Sequence, residues 1–417
     1  MDIKELRKTA LYIFNESIKK VLPDRAVKEK LLELDFNENI FLVAVGKASW
    51  RMAKSAVEVL GDKVTKGVVI TKYGHSEGQI KNIDIYEAGH PVPDENTIKA
   101  TKHMLKELKK IDGNNRILFL LSGGGSSLFE LPRKEITLSD IQRTTEALLR
   151  SGANIVQINT VRKHLSSVKG GRFAEFVSPR EITTFALSDV LDDRLDSIAS
   201  GPAYPDNSTS KEALEILKAY NIDVSKKIKK VLMEETPKSL TNVENYIIGN
   251  VTTVCEEAAK LANKKGFNAT ILTTRLDCEA REAGRFLGSI IHEIINKERP
   301  LKRPCAVIVG GETVVHVIGD GKGGRNQELA LSGAIKIKGL DKAILLSAGT
   351  DGTDGPTDAA GGIVDGFSFS RLLQKRINPV SELKRNNSYY ALEKSGDLIK
   401  TGPTGTNVND LILIIID

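Results

Sequence analysis

Cysteine is scarce in this chain. Cys255, Cys278 and Cys305 are the only three in 417 residues, and they stand far apart. Their odd number and isolated spacing exclude a disulfide framework and a cysteine zinc site, and they favour a reducing compartment. The six histidines show no metal-binding spacing such as H-E-x-x-H. Glutamine is also rare while Lys, Glu and Ile abound, a composition that resembles that of thermophile proteins.

Long apolar runs and a strong charge imbalance are absent as well. No run approaches the ~18 apolar residues of a membrane span, and the charged, amphipathic N-terminus has no signal-peptide core. The net charge of +6 is small, and Lys and Arg alternate with Glu along stretches such as 102–110. We therefore expect a cytoplasmic protein that binds neither membrane nor nucleic acid.

What the chain does have is a repeated junction between an apolar strand and a glycine loop. In Ile117–Leu128, ILFLLSGGGSSL, a short apolar run predicts a buried strand of a parallel sheet. The loop that follows can turn sharply and present several N–H groups to an anion. A plain tight turn is the alternative for an isolated loop of this kind. The expected phosphate or substrate ligands are Ser122, Gly123, Gly124, Gly125, Ser126 and Ser127.

The same pattern recurs at Phe41–Ser49, Ala306–Thr313 and Ile344–Asp354. Ligands of open α/β sheets bind at the carboxyl ends of the strands, so four such loops indicate one shared anion-handling cleft. Lys47 lies between a strand end and a helix that we expect Ser49 to cap, where a cation meets a bound phosphate. A surface lysine is the alternative interpretation.

Acidic loops follow two further strands. Asp189 and Asp193 come after the strand 181–187, and Asp351 and Asp354 follow the strand 344–347. Carboxylates just beyond a buried strand are costly unless a cation is near, and Mg²⁺ would supply one. We therefore expect these four to be metal ligands, with capping of a turn or helix as the alternative, equally weighted for Asp193.

A strand predicted at 313–318 leads into a G-x-G-x-x-G pattern formed by Gly319, Gly321 and Gly324. This pattern is typical of dinucleotide sites, but the acidic candidate for a ribose contact, Asp341, precedes its strand instead of following one. Arg325, a two-pronged donor, comes directly after the glycines. We therefore interpret the loop as an anion site with Gly323, Gly324 and Asn326. No P-loop and no G-x-S-x-G motif occur.

Residues 221–243 are polar, lysine-rich and weakly patterned, and they contain Pro237. We place a domain boundary there, giving domains 1–237 and 238–417. Cations, glycine loops and acidic loops together match phosphoryl transfer, which needs charge neutralisation and Mg²⁺ more than a covalent nucleophile.

These residues also carry a family resemblance. The segments VAVGKAS, GHPVPDENT, LSGGGSSL, LSDV, IASGP, GGETVV, GGRNQELAL, GTDGTDGPTDAAG and TGPTGTNVNDL resemble the MOFRL-type (class II) glycerate kinases, collinearly over nearly the whole chain. One position departs from the family pattern. After S-D-V-x the family usually has Gly then Asp, and this chain has Asp192 and Asp193.

The resemblance implies an α/β fold with a larger Rossmann-like N-terminal domain, a smaller C-terminal domain and an active site between them. It implies ATP-dependent phosphorylation of D-glycerate, usually to 2-phosphoglycerate, with a divalent metal. The family's cleft cations fall on Lys47 and Arg325, and we expect these two and Asp189 to be catalytic. The alternatives are an NAD(P)H-dependent hydroxypyruvate reductase and a non-enzymatic sugar-phosphate sensor. The sequence settles neither the phosphorylated hydroxyl, nor the general base, nor whether the chain forms a homodimer.

Overall fold

The computed structural model of the protein describes residues 1–113 and 115–417. The helices are α1 (Ile3–Lys19), α2 (Pro23–Glu33), α3 (Ser49–Leu60), α4 (Glu95–Leu108), α5 (Gly125–Leu128), α6 (Leu138–Arg150), α7 (Ile155–Leu165), α8 (Arg172–Val177), α9 (Ser210–Ala219), α10 (Lys226–Leu232), α11 (Val251–Lys264), α12 (Ala280–Lys297), α13 (Arg325–Lys336), α14 (Ser368–Gln374), α15 (Pro379–Lys384) and α16 (Ser388–Ser395). The strands are β1 (Ile40–Val45), β2 (Val64–Lys72), β3 (Ile83–Ala88), β4 (Arg116–Leu121), β5 (Ile182–Leu187), β6 (Val243–Gly249), β7 (Asn268–Leu276), β8 (Cys305–Gly311), β9 (Ala343–Gly349), β10 (Gly361–Asp365), β11 (Leu398–Ile399) and β12 (Asp410–Ile416).

Two compact units divide these elements. The parallel-sheet unit comprises Pro23–Ile248, and the mixed-sheet unit comprises Met1–Leu22 with Gly249–Asp417. The first contains a six-stranded sheet in the order β3-β2-β1-β4-β5-β6, in which β1 pairs in parallel with β2 and β4. This is the strand order of a doubly wound, Rossmann-like sheet, with its topological switch point between β1 and β4. The predicted fold class is therefore confirmed.

Both faces of the parallel sheet are buried, as its uninterrupted apolar strands predict. Phe41, Val43 and Val45 pack into one core, and Leu42 and Ala44 pack into the other. A third core lies among α6, α7, α9 and α10. The loops after β1 and β5 therefore follow strands that are buried along their whole length.

The mixed-sheet unit has the order β11-β10-β9-β12-β8-β7. Its central strand β12 runs antiparallel to both β8 and β9, and the edge pair β7 and β8 is parallel. Alternation along β12 places Leu411, Leu413 and Ile415 in one core and Ile412 and Ile414 in the other. An all-apolar strand of this kind belongs at the centre of a sheet covered on both faces.

The unit boundaries differ from the predicted division at 237/238 at both ends. Helix α1 packs its Leu6 and Phe14 into the core of the mixed-sheet unit, although it begins the chain. Strand β6 extends the parallel sheet, and the backbone N–H of Ile182 donates to the carbonyl of Asn242 at 2.8 Å. The physical reason is that an amphipathic helix and an edge strand bury their apolar faces where space is offered, irrespective of sequence proximity.

Two local predictions were wrong. Residues 313–318 do not form a strand. Val314 makes only an isolated bridge with Glu279, and Val317 and Ile318 are 74% and 76% exposed. Ser49 does not cap α3, because its hydroxyl donates to the carbonyl of Ile70 in β2. Over the residues described, no helix has the length and apolarity that a bilayer span requires.

Candidate functional site

The loops after β1 and β4 touch at the switch point of the parallel sheet. Gly46, at φ +128°, lies so close to the β4 loop that a Cβ there would come within 2.2 Å of the Ser122 Oγ. The backbone N–H of Lys47 donates to the Gly123 carbonyl at 2.9 Å, and that of Ala48 donates to the Ser122 Oγ at 3.1 Å. Gly46 is thus required for close approach, and Ser122 ties the two loops together.

Three side chains surround the glycines of the β4 loop, and we call this group the switch-point site: Lys47, Asp189 and His90 around Gly123 and Gly124. A Cβ on Gly123 would lie 2.4 Å from the Asp189 Oδ2 and 3.8 Å from the Lys47 Cε. A Cβ on Gly124 would lie 2.8 Å from the His90 ring and 3.4 Å from the Lys47 Cε. Three loops that are distant in sequence therefore converge on one glycine pair.

Burial shapes the charges of this site. It raises the pKa of Asp189, and the nearby Lys47 opposes that rise. It also lowers the pKa of His90 to about 4, helped by repulsion from Lys47, Lys72 and His75. The imidazole of His90 is therefore neutral at pH 7, while the site keeps one cation. The sequence signal for the position of His90 is its place in the loop that follows β3, two residues beyond Ala88.

The serines of the β4 loop are bonded within the protein. The Ser127 hydroxyl donates to the Gly124 carbonyl at 3.1 Å, and the Ser126 Oγ lies 2.9 Å from the Ser200 Oγ. Beneath them, Lys169 and Arg162 both donate to the Ser126 carbonyl, at 2.8 Å and 3.0 Å. The structure thus gives these serines a part in building the loop. These roles had no signal in the sequence, because nothing in it distinguishes the buried Lys169 and the half-buried Arg162 from surface charges.

Asp193 lies in a short 3₁₀ turn, Leu191–Asp193, beyond Asp189. Both Asp192 and Asp193 have positive φ, at +66° and +52°. This left-handed pair takes the position where the family usually has Gly then Asp, and a glycine would adopt such a conformation without strain. Asp193 is half-buried.

Arg325 begins α13 in the mixed-sheet unit, and its guanidinium is held by two carboxylates. Its Nε and Nη2 donate to the two oxygens of Asp410 at 2.6 Å and 3.0 Å, and its Nη1 lies 3.1 Å from Glu312. Glu328, three residues further along α13, accepts from Arg281 and Asn386. Asp410 is buried at the start of β12, and its partnership with Arg325 had no signal in the sequence.

Asp354 caps helix α13, whereas the sequence predicted that it would be a metal ligand. Its two oxygens accept from the backbone N–H groups of Asn326 and Gln327, at 3.1 Å and 2.9 Å. Burial raises its pKa to about 6, against those N–H bonds, which lower it. The Asn326 side chain accepts from the Ser347 hydroxyl at 2.6 Å. Asn326 and Asp354 therefore pack the start of α13 onto β9.

The glycines before α13 are pressed against the chain itself. A Cβ on Gly323 would lie 2.2 Å from the Ser388 Oγ, and one on Gly324 would lie 2.3 Å from the Asp354 Cγ. Cβ atoms on Gly319 and Gly321 would meet the Arg385 backbone at 2.3–2.6 Å. This G-x-G-x-x-G segment is therefore packed tightly against neighbouring parts of the chain, and the absence of side chains on its glycines permits that close approach.

Asp351 is half-buried in the loop after β9, and its Oδ1 accepts from the Thr353 N–H at 2.9 Å. Its Oδ1 and that of Asp410 lie 3.2 Å and 3.5 Å from the Cβ position of Gly349. Of the four predicted metal ligands, Asp189 and Asp193 belong to the parallel-sheet unit, and Asp351 and Asp354 belong to the mixed-sheet unit. Within residues 1–113 and 115–417, no three His, Cys, Asp or Glu side chains are arranged to hold a metal ion.

A doubly wound sheet with a glycine loop and a lysine at its switch point defines a class of α/β proteins that bind anionic groups at that edge. Comparison with known proteins narrows this class. Residues 9–233 match the family described as domain of unknown function (DUF4147), and residues 305–410 match the MOFRL family. The chain belongs to the MOFRL-type glycerate kinases, and the resemblance seen in the sequence is confirmed.

Individual relatives agree over the full length. A D-glycerate 2-kinase of Thermotoga maritima is 62% identical over 415 residues, covering 100% of this chain and 99% of that protein. A glycerate 2-kinase of Pyrococcus horikoshii is 44% identical over 438 residues, covering 100% and 98%. The crystal structure of a glycerate kinase from Thermotoga maritima matches with a TM-score of 0.97 at 62% identity, covering 99% of this chain and 100% of that one.

Proposed function

We propose that this protein transfers the γ-phosphoryl group of ATP to D-glycerate, at the 2-hydroxyl, and releases 2-phosphoglycerate. The observation that carries the proposal is Lys47 at the switch point beside Gly123 and Gly124. Over the residues described, no carboxylate lies within ion-pair distance of its ammonium group, although Asp189 is near enough to influence it. A half-buried cation without a close counter-ion is suited to an anionic ligand. The names of the two kinase relatives supply the substrate.

In the proposed reaction the 2-hydroxyl oxygen of glycerate bonds to the γ-phosphorus while the bond from that phosphorus to the β–γ bridging oxygen breaks. ADP leaves with the bridging oxygen, and the hydroxyl loses its proton. Lys47 stabilises the charge on the transferring group in line between the two oxygens. The N–H groups of Gly123 and Gly124 complete the phosphate cradle.

Asp189 fits a bound Mg²⁺. Its carboxylate is half-buried, and its Oδ2 lies directly over Gly123, where the phosphates are proposed to lie. Mg²⁺ is commonly held by one or two carboxylates together with substrate phosphates and water. When bound, it neutralises phosphate charge. Asp193 and Asp351 remain proposed ligands of the same kind, whereas the structure favours a capping role for Asp354.

Arg325 is proposed to bind the carboxylate of glycerate. Asp410 accepts hydrogen bonds from Nε and Nη2 of the guanidinium. The remaining nitrogen, Nη1, pairs with Glu312, whose side chain is 45% exposed. A substrate carboxylate can replace Glu312 at Nη1, while Asp410 keeps the guanidinium plane fixed.

Phosphorus NMR of the product formed from ATP and D-glycerate tests the function and the phosphorylated position together. We expect a single phosphomonoester that is coupled to the C2 proton. Coupling to the C3 protons would contradict 2-phosphorylation, and no phosphomonoester at all would contradict the kinase assignment.

Metal and reductant assays separate the proposal from the reductase alternative. Excess chelator should abolish ATP-dependent turnover, and added Mg²⁺ should restore it, because the acidic loops offer only oxygen ligands. NADH with hydroxypyruvate should give no comparable rate, since Asp341 is exposed and precedes its strand, unlike the ribose-binding carboxylate of a dinucleotide site. Full activity in chelator, or NADH oxidation at a similar rate, would contradict the proposal.

A further inference from the structure

The glycine loop after β4 leads directly into the single turn α5, and two cations hold the carbonyl groups of that turn. Lys169, whose side chain is fully buried, donates from its Nζ to the carbonyls of Ser126 at 2.8 Å and Phe129 at 2.5 Å. Arg162 donates from its Nη2 to the same Ser126 carbonyl at 3.0 Å. Carbonyl groups of a helical turn point away from the N–H groups at its start, so these bonds also fix where the N–H groups of the loop point.

The charges behind the loop do not cancel. Lys169 lies 3.4 Å from the Oε2 of Glu130, which is also fully buried. Among the residues described, no carboxylate lies within ion-pair distance of Arg162. Burial lowers the pKa of Lys169 to about 8 while Glu130 opposes that change, so the lysine is mainly protonated at pH 7. Two cations and one carboxylate leave one positive charge in excess, which favours an anion on the loop.

Packing alone does not account for a lysine at position 169. An aliphatic side chain of similar length would fill the same space without the desolvation that a buried charge suffers. The end of α5 is held independently by apolar contacts, because the ring of Phe129 packs against those of Phe119 and Phe173, with centroids 6.0 Å and 5.3 Å apart. What the ammonium group adds is a pair of charge-assisted hydrogen bonds that orient peptide groups next to the switch-point site.

We propose that Lys169 and Arg162 are positioning residues for phosphate binding: they fix the Ser126 carbonyl, and through it the N–H groups of the glycine loop, in the orientation that receives the phosphates of the donor. Both act through the backbone of the loop, and their excess positive charge adds to that of Lys47. This role rests on the proposed function, because it places the phosphates of the donor on the glycine loop. The two cations should therefore affect the binding of a phosphate chain and leave the binding of glycerate unchanged.

The test removes the charge and keeps the volume. Lys169→Met is combined with Glu130→Gln, so that no unpaired carboxylate stays buried. The matched control combines Lys163→Met with Asp206→Asn, which removes another buried pair, 3.2 Å apart. In the part of the chain that is described, the Lys163 ammonium donates to carboxylates only. Circular dichroism shows that each variant is folded, and calorimetry measures the binding of ATP and of tripolyphosphate in the presence of Mg²⁺.

The Lys169→Met, Glu130→Gln protein should bind ATP and tripolyphosphate about tenfold more weakly than the control does, because the loop loses its fixed orientation. Its KM for glycerate at saturating ATP should stay within about twofold of the parent value. Arg162→Met should weaken the binding of both phosphate ligands by about threefold, since Lys169 still holds the carbonyl. This single variant at a half-buried position decides the question if the double variant does not fold.

Affinities equal to those of the control would show that the two cations serve only the packing of the protein, and so would an equal loss in the control. Weaker ATP binding with unchanged tripolyphosphate binding, or an equal rise in the KM for glycerate, would also overturn the positioning role. Failure of the unmodified protein to bind either phosphate ligand would overturn both this role and the proposed function. The expected differences in binding, without any phosphorylation of glycerate by the unmodified protein, would overturn the proposed function alone.

Discussion

Lys47 is held by its backbone, which leaves its side chain free to act. Its N–H donates to Gly123 at 2.9 Å, and its carbonyl oxygen lies 3.0 Å from the Nδ1 of His75. Loops after three strands thus fix one residue, and no carboxylate of the described chain pairs with its ammonium group. A cation that stabilises a transition state must be held in place while its charge is not neutralised by a protein carboxylate, and Lys47 meets both conditions.

Lys47→Ala should lower kcat by roughly a hundredfold or more while the fold is retained, because a preorganised charge is lost from the transferring phosphoryl group. Steady-state kinetics with a thermal melt of the same sample will test this. Lys54→Ala is the matched control, since Lys54 is an exposed lysine on the following helix. A folded Lys47→Ala protein with nearly normal kcat would refute the assignment.

Arg325→Lys should lower kcat/KM for glycerate by roughly tenfold or more and leave the KM for ATP nearly unchanged. A lysine cannot span Asp410 and Glu312 in one plane, so the substrate carboxylate loses its fixed partner. The measurement varies each substrate separately.

Arg281→Lys is the control for Arg325→Lys, because Arg281 is also paired with carboxylates, Glu279 and Glu328, in the same unit. It should alter stability without altering glycerate kinetics. If Arg325→Lys behaves in the same way, Arg325 serves only to neutralise the buried Asp410.

At the scale of elements, α13 shows how a helix start is built from distant residues. Gly324 occupies its N-cap position and offers no side-chain acceptor. Asp354, from the loop after β9, supplies the acceptors instead. A carboxylate at a helix N-terminus is favoured by the helix dipole, although burial penalises its charge. This balance explains why the pKa of Asp354 is raised only to about 6.

The unfolding free energy of the Asp354→Asn variant should increase relative to that of the unmodified protein as pH rises. The folded pKa of about 6 lies above the ordinary value of 3.8, so the folded carboxyl binds more protons than the unfolded one between these values. Its contribution is therefore fully present below pH 3.8 and lost as pH rises through 6. The difference in unfolding free energy between variant and parent should shift by about 2 kcal/mol between pH 4 and 7.

Denaturant titrations of both proteins at each pH will show this shift. Taking the difference between variant and parent removes the contribution of all other titrating groups. The Mg²⁺ concentration needed for half-maximal activity should stay the same in Asp354→Asn. A large rise in that concentration would restore Asp354 as a metal ligand and contradict its role as a cap.

At the scale of the molecule, α1 is the element whose placement is least local. Its Leu6, Ala10, Ile13 and Phe14 are fully buried, and they join a core formed largely by residues beyond 250. The α-amino group of Met1 also pairs with Asp417, so both chain ends lie on the mixed-sheet unit. The first helix is therefore part of the unit that the last strand completes.

Phe14→Ala should lower the unfolding free energy by about 3–5 kcal/mol, the cost of an aromatic cavity in a packed core. Tyr12→Ala is the control on the same helix, since Tyr12 is 44% exposed. Chemical denaturation followed by circular dichroism measures both. Equal losses in the two variants would show that α1 is not packed as described.

Most of the secondary structure could be predicted because its causes are local. Apolar runs that end in a glycine loop predicted β1, β4, β8 and β9, and the strand predicted at 181–187 corresponds to β5. The strand predicted at 313–318 does not form, because its apolar residues meet no neighbouring strand and Val314 makes only an isolated bridge with Glu279. The helices α14–α16 are too short to give a clear period.

By itself, the sequence determined the doubly wound fold, the family and the glycine loop with Lys47, because strand hydrophobicity, turn chemistry and motif order are written along the chain. Only the tertiary structure decided that Asp354 caps a helix, that Asp410 holds Arg325, and that His90 stands beside Lys47 as a neutral ring. These roles depend on which groups meet through space and how far they are removed from water. A carboxylate or an imidazole has the same letter in the sequence whether it is solvated, paired or buried.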